Sequence, residues 1–274
     1  MIKTILITGC SSGIGYHAAQ TLKIKGWRVF ATCRKESDCK RLKSEGFESF
    51  VLDYSDERTI EAAVKHVSLI NNNKLDALFN NGAFALPGAV EDLKRDALRE
   101  IFEVNFFGHV DLMNKFLPCL SNSNDARVVN CSSVLGFAAL PYRGAYNATK
   151  FAIEAITDTI RREETGKKVK YILIEPGPIR TNIRVNSIDY FEKWIDWKNS
   201  NLHETYKTNL LTRLYEPSSK PNFFEQEPRH VTKKLLSALY ATKPKKRYYV
   251  TYPTYFANII NRLLTTNLQD YLYK

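Results

Sequence analysis

Six short runs are apolar at successive rather than alternate positions: residues 4–8, 28–32, 50–52, 77–79, 127–131 and 169–174. Strands read this way when both of their faces are covered, as in a parallel sheet between helical layers. Helical spacing fills the gaps at residues 14–25, 56–70, 98–117 and 145–162. Gly26 stops the first of these helices, Pro118 closes the third, and the fourth is expected to end near Gly166. Strand and helix in alternation predict an α/β chain with a doubly wound parallel sheet and right-handed crossovers.

The pattern changes after Pro176. Residues 181–228 show no strand period and are rich in aromatic and charged groups, including Tyr190, Phe191, Trp194, Trp197, Tyr206, Tyr215, Phe223 and Phe224. A long irregular segment in a compact domain reads as a lid, and the aromatics argue against plain disorder. A helix over 231–240, a strand over 248–251 and a short helix over 256–264 complete the reading. No repeat or flexible linker divides the chain, so 1–274 is expected to be one domain with the lid as an insertion at about 181–228.

Between the first strand and first helix lies Thr8-Gly9-Cys10-Ser11-Ser12-Gly13-Ile14-Gly15. Gly9 permits a tight turn, Gly13 lets backbone approach a ligand, and Gly15 permits close helix-on-strand packing. The N–H groups opening the helix, around Ser11, Ser12, Gly13 and Ile14, are placed to meet a pyrophosphate. This arrangement predicts a Rossmann-type dinucleotide site. The second strand runs out into Arg34 and Lys35 where NAD sites usually carry a carboxylate. Arg34 can take a 2′-phosphate bidentately, so NADP is expected ahead of NAD.

Tyr146 and Lys150 stand four residues apart, on one face of the expected helix, with Ser133 upstream. A phenol has an ordinary pKa of about 10 and is a poor proton carrier at neutrality. A neighbouring cation favours phenolate, and a serine hydroxyl can share the same substrate oxygen. That trio can move a proton on or off a carbinol or carbonyl oxygen.

With the Asn80-Asn81-Gly82-Ala83 turn, Asn105, and Pro176-Gly177-Pro178-Ile179-Arg180-Thr181, these motifs resemble the short-chain dehydrogenase/reductase family in order and spacing. The likeness covers residues 1 to about 181 and is nearest the 17β-hydroxysteroid and retinol dehydrogenase branch with its bacterial NADP-dependent oxidoreductases. It implies that Tyr146 exchanges the proton, Lys150 lowers its pKa and bonds the nicotinamide ribose, and Ser133 polarises the substrate oxygen. It further implies that Asn105 holds a water between Lys150 and solvent, and that Asp53 accepts from the adenine amine. Asn80 and Gly82 would line the adenosine side; Pro176, Gly177 and Thr181 would flank the nicotinamide. Relative to the family's Asn-Asn-Ala-Gly turn, Gly82 and Ala83 are swapped, which predicts crowding or a backbone shift at position 83.

The expected activity is NADP-dependent hydride transfer to or from the carbonyl or alcohol of a small apolar substrate: a retinoid, steroid or long-chain aldehyde. The apolar run after Ser133 and the aromatic lid support an apolar pocket. Two alternatives carry other sequence support: a nucleotide-sensing binding protein without turnover, and a membrane-associated lipid keto-reductase. The net charge of +11 is spread along the chain without a nucleic-acid module, so no nucleic-acid partner is expected. The aromatic C-terminal stretch after Lys243-Pro244-Lys245-Lys246-Arg247 is compatible with peripheral membrane contact. No apolar run is long enough to span a bilayer. Five scattered cysteines without a CxxC pair point to reduced thiols and a cytoplasmic location. The histidines lack ligand spacing, so no metal is expected. The resemblance also implies a homo-oligomer.

Overall fold

A computed structural model describes residues 2–163, 168–215 and 224–273. Seven parallel strands form one sheet in the order β3-β2-β1-β4-β5-β6-β7. They are β1 Thr4–Ile7, β2 Arg28–Cys33, β3 Glu48–Val51, β4 Ala77–Asn80, β5 Arg127–Cys131, β6 Lys170–Glu175 and β7 Arg247–Tyr249. Every residue of β1, β4 and β5 is buried, which is why these runs are apolar apart from Thr4, Asn80, Arg127 and Asn130. Alternate side chains serve opposite faces. Ile5 and Ile7 join one core with Leu22, Leu235 and Leu239; Leu6 joins the other with Leu112, Met113 and Phe116.

Six helices follow the first five strands: α1 Gly13–Ile24, α2 Glu36–Ser44, α3 Glu57–Ile70, α4 Arg95–Phe102, α5 Gly108–Ser121 and α6 Gly144–Glu163. The short α2 was not expected from its polar sequence; Cys39 and Leu42 alone anchor it in the core. The expected single helix over 98–117 is corrected in two ways. It is split into α4 and α5 by a π-helical turn, Glu103–Phe107, and α5 continues to Ser121 with Pro118 inside it. Proline removes one backbone donor, yet Cys119 and Leu120 beyond it are buried, and their packing carries the helix on. The predicted stop at Gly166 lies outside the described residues.

The 181–228 segment is largely helical among its described residues, with turns over 195–202, rather than irregular throughout. It holds α7 Ile183–Trp194, α8 His203–Thr205, a π turn Tyr206–Leu211 and α9 Thr212–Tyr215; Phe223 lies outside the described residues. Phe191, Ile195, Tyr206, Leu210 and Leu214 bury against Ala89 in a small core of their own. A helical period interrupted every few residues leaves little signal in sequence. The chain ends with α10 Pro228–Tyr240, α11 Tyr252–Leu263 and α12 Thr266–Tyr273.

Candidate active site

The strand order reverses direction between β1 and β4, and in such sheets the crevice beyond the strand C-termini is the ligand site. The glycine loop leaves β1 there. Gly9 and Gly13 adopt φ of +66° and +58°, which L side chains rarely tolerate. A Cβ on Gly15 would lie 2.3 Å from the Gly9 carbonyl oxygen, so α1 can approach the loop this closely only with glycine. Ser12 caps α1 without a side-chain hydrogen bond, and Ser11 is fixed through its carbonyl by Arg41, at 2.7 Å. The first-turn N–H groups at Gly13, Ile14 and Gly15 therefore have no serine oxygen on them. A phosphate fits this cradle.

Arg34 follows β2 and donates to the Tyr190 hydroxyl at 3.0 Å. That hydroxyl belongs to α7, whose Tyr190 ring stacks on Phe84 with centroids 3.8 Å apart. Asp53 follows β3, accepting from the Ser55 N–H and hydroxyl at 3.0 and 2.8 Å. Asn80 is completely buried. Its amide donates to Asn130 at 3.0 Å and its carbonyl accepts from Tyr54 at 3.0 Å, so its side chain is engaged within the sheet rather than free for adenosine.

The swapped glycine at 82 has a local reason. A Cβ there would fall 2.4 Å from the Tyr54 ring. Tyr54 also bonds Thr8 at 2.8 Å and packs against His109 with ring centroids 4.2 Å apart. His109 in turn contacts the Gly82 carbonyl. Burial, and next the Lys150 cation, push the His109 imidazole down to about 3, against the Gly82 carbonyl, which favours the protonated ring. It is therefore neutral at pH 7, and its Nε2–H donates to Gly82. Neither Tyr54 nor His109 was marked by a sequence motif; positions 54, 82 and 109 meet only through the sheet.

Ser133 leaves β5 and caps a short 3₁₀ turn, its Oγ accepting from the Leu135 N–H at 3.1 Å. Tyr146 lies in the first turn of α6, among Phe84, Ile101, Leu135, Tyr190 and Trp194. Burial raises the Tyr146 phenol well above its ordinary value. The neighbouring Ser133 hydroxyl and the Arg143 guanidinium pull it the other way. Lys150 is almost fully buried, donates to the Cys131 carbonyl at 2.8 Å, and lies 5.5 Å from the Tyr146 ring centroid. Burial lowers its pKa. Arg143, which no sequence motif marks, is a second cation near the phenol. Burial, with Arg184 and Arg213 nearby, holds the Arg143 guanidinium below its ordinary value.

Asn105 sits in the π turn, fully buried. Its carbonyl accepts from the Phe84 N–H at 3.0 Å, and its amide donates to the Phe84 carbonyl at 2.9 Å and Thr149 at 3.2 Å. Its side chain thus joins the segment after β4, at Phe84, to α6. Beyond β6, Pro176 accepts from Val134 N–H at 2.7 Å, tying that loop to the Ser133 segment. A Cβ on Gly177 would meet Thr251 at 2.1 Å, and the Thr181 methyl lies against Gly13. The structure thus gathers the glycine loop, Arg34, Ser133, Tyr146, Lys150, Pro176, Gly177 and Thr181 around one end of the sheet.

The short chain dehydrogenase family profile matches residues 3–189. The chain belongs to that family and is an oxidoreductase of the short-chain type. It is 35% identical over 273 residues to the uncharacterized oxidoreductase YbbO of Escherichia coli (strain K12), covering 98% of this chain and 93% of that one. Retinol dehydrogenase 7 of Mus musculus is 32% identical over 253 residues, covering 90% and 79%. The NADPH-dependent 3-dehydrocapnine reductase of Ornithobacterium rhinotracheale is 36% identical over 186 residues, 65% and 66% of the two chains. A short-chain dehydrogenase structure from Streptomyces avermitilis superposes with a TM-score of 0.78 at 25% identity, covering 94% and 91%. One from Burkholderia cenocepacia J2315 in complex with NADP superposes at 0.77 and 21%, covering 100% and 98%. Among the described residues no helix is long and apolar enough to cross a membrane, and all five cysteines are buried free thiols.

Proposed function

We propose that this protein is an NADP-dependent carbonyl reductase or alcohol dehydrogenase acting on an apolar substrate. The observation that carries the reading is the placement of Ser133, at the end of β5, beside the Tyr146 phenol in an apolar surround, with Lys150 buried one helical turn from the phenol. When bound, the nicotinamide supplies or accepts the hydride. Ser133 and Tyr146 hydrogen-bond the substrate oxygen as charge gathers on it, and Tyr146 gives up or takes the proton. Lys150, held by the Cys131 carbonyl, orients the ribose side and adds positive potential. Bringing a phenol from about 10 to near 7 needs roughly 4 kcal/mol of differential stabilisation. In a desolvated site, Arg143 and Lys150 together can supply that.

Asn105 acts by fixing the Phe84 segment to α6. Arg34 is the group suited to a 2′-phosphate, and the glycine loop with Asp53, Gly82, Pro176, Gly177 and Thr181 forms the rest of the cofactor cradle. The 181–228 segment acts as the lid, because Tyr190 and Trp194 pack with Phe84 over Tyr146. The NADPH-dependent relative supports the cofactor, and retinol dehydrogenase 7 supports an apolar alcohol or aldehyde.

The test is a panel of aldehydes and ketones assayed with NADPH and NADH. Turnover is expected with NADPH on the apolar members. Tyr146→Phe is expected to lower kcat by about 10²–10⁴ while binding cofactor normally; a variant within tenfold of the parent removes Tyr146 from the reaction.

A further inference from the structure

Helix α11 is amphipathic with its sides reversed. Thr254, Ala257 and Ile260 face the protein and are buried, whereas Tyr252, Phe256, Ile259 and Leu263 are 76%, 63%, 52% and 76% exposed. Their spacing of i, i+4, i+7 and i+11 makes one stripe along the helix. Leu268 and Tyr271 of α12, 51% and 80% exposed, extend it. A contiguous apolar stripe on the outside of a protein marks an interaction surface. Charge around it is one-sided. Residues 228–274 contain nine lysines and arginines and a single acid, Asp270, a formal +8 of the net +11, of which Arg247 is paired with Glu154, Asp158 and Glu175. Lys243, Lys245 and Lys246 are exposed in the loop before β7.

We propose that α11 and α12 seat this protein on an anionic phospholipid surface. Aromatic and aliphatic side chains enter the boundary between headgroups and acyl chains, while the lysines meet the headgroup phosphates. Charge decides against a second copy as the occupant, because two patches this basic repel one another. The stripe is joined to the candidate site. Asn261 of α11 donates to the Phe137 carbonyl, and Tyr255 packs on Tyr249, which packs on Phe137. Phe137 lies four residues beyond Ser133, so the docked face adjoins the substrate wall. This inference goes beyond the proposed reaction and is tested without any turnover.

The protein is co-sedimented with vesicles of phosphatidylcholine alone and of phosphatidylcholine containing phosphatidylglycerol. Binding is expected to be at least about tenfold stronger to the anionic vesicles and to fall at high salt. The double variant Phe256→Glu/Leu263→Glu is expected to lose that binding while keeping the parent circular dichroism spectrum. The triple variant Lys243→Ser/Lys245→Ser/Lys246→Ser is expected to lose the anionic preference, and it carries the test if the double variant does not fold. Parent protein remaining in the supernatant with anionic vesicles overturns the proposal. So does a folded double variant that binds like the parent. Self-association abolished by Phe256→Glu, with no vesicle binding, assigns the stripe to a second copy instead.

Discussion

At the scale of single residues, the turn after β4 shows how one side chain dictates another's identity. Tyr54 places its ring where a Cβ at 82 would stand, at 2.4 Å, and Tyr54 is itself held by Thr8, Asn80 and His109. Gly82→Ala forces that ring or the turn to move, at a cost expected to be about 1–3 kcal/mol. Replacing Tyr54 with Val in the same chain should return most of the loss, because the obstructing ring is gone. A double-mutant cycle by urea unfolding measures this; additive effects of the two changes would show that residues 54 and 82 do not communicate. In sequence, the exchange of Gly82 and Ala83 reads only as a departure at position 83. Its cause lay at 82, in a partner 28 positions upstream, which no local pattern reveals.

At the scale of elements, the strands, the glycine loop and α6 were legible because their signals are local: uninterrupted apolar runs, positive-φ glycines and an i,i+4 pair. The π turn was not. Its extra residue keeps the apolar register of a helix while rotating Asn105 inward to Phe84, and only the packed structure shows the rotation. The same limit hid α7, whose Tyr190 reaches Arg34 from 156 residues away. On the proposed NADP reading Tyr190 and a 2′-phosphate would draw on the same guanidinium, so Tyr190→Phe is expected to tighten NADPH binding about two- to fivefold and leave NADH unchanged. Arg34→Ala should weaken NADPH about tenfold or more, again sparing NADH. Fluorescence titration with both nucleotides checks each. Equal effects on the two would detach Arg34 from the phosphate.

At the scale of the whole molecule, Arg247 on the last strand bonds Glu154 of α6, Glu175 of β6 at 2.7 Å and Asp158 at 2.6 Å. It thereby clamps the sheet edge to α6. Burial, and next the neighbouring Glu154, push Glu175 up to about 9, and burial raises Glu154 as well. Unfolded, Glu175 ionises near its ordinary value of 4.5. Stability from the protonated form is complete below that value and is lost as pH rises toward about 9. Glu175→Gln mimics the protonated acid and should flatten the fall in Tm between about pH 5 and pH 9. Melting curves by circular dichroism across that range check it, and parallel slopes for parent and variant would exclude the linkage. The bond between Arg34 and Tyr190 has one more consequence, in the order of events during turnover. On the proposed reading, a nucleotide bearing a 2′-phosphate would take Arg34 from Tyr190 and loosen the stack on Phe84, beside the Tyr146 phenol. The enzyme should therefore follow a compulsory sequence, nucleotide on first and off last. In initial-rate experiments NADP should inhibit competitively against NADPH alone, whereas random addition would give competition against both reactants.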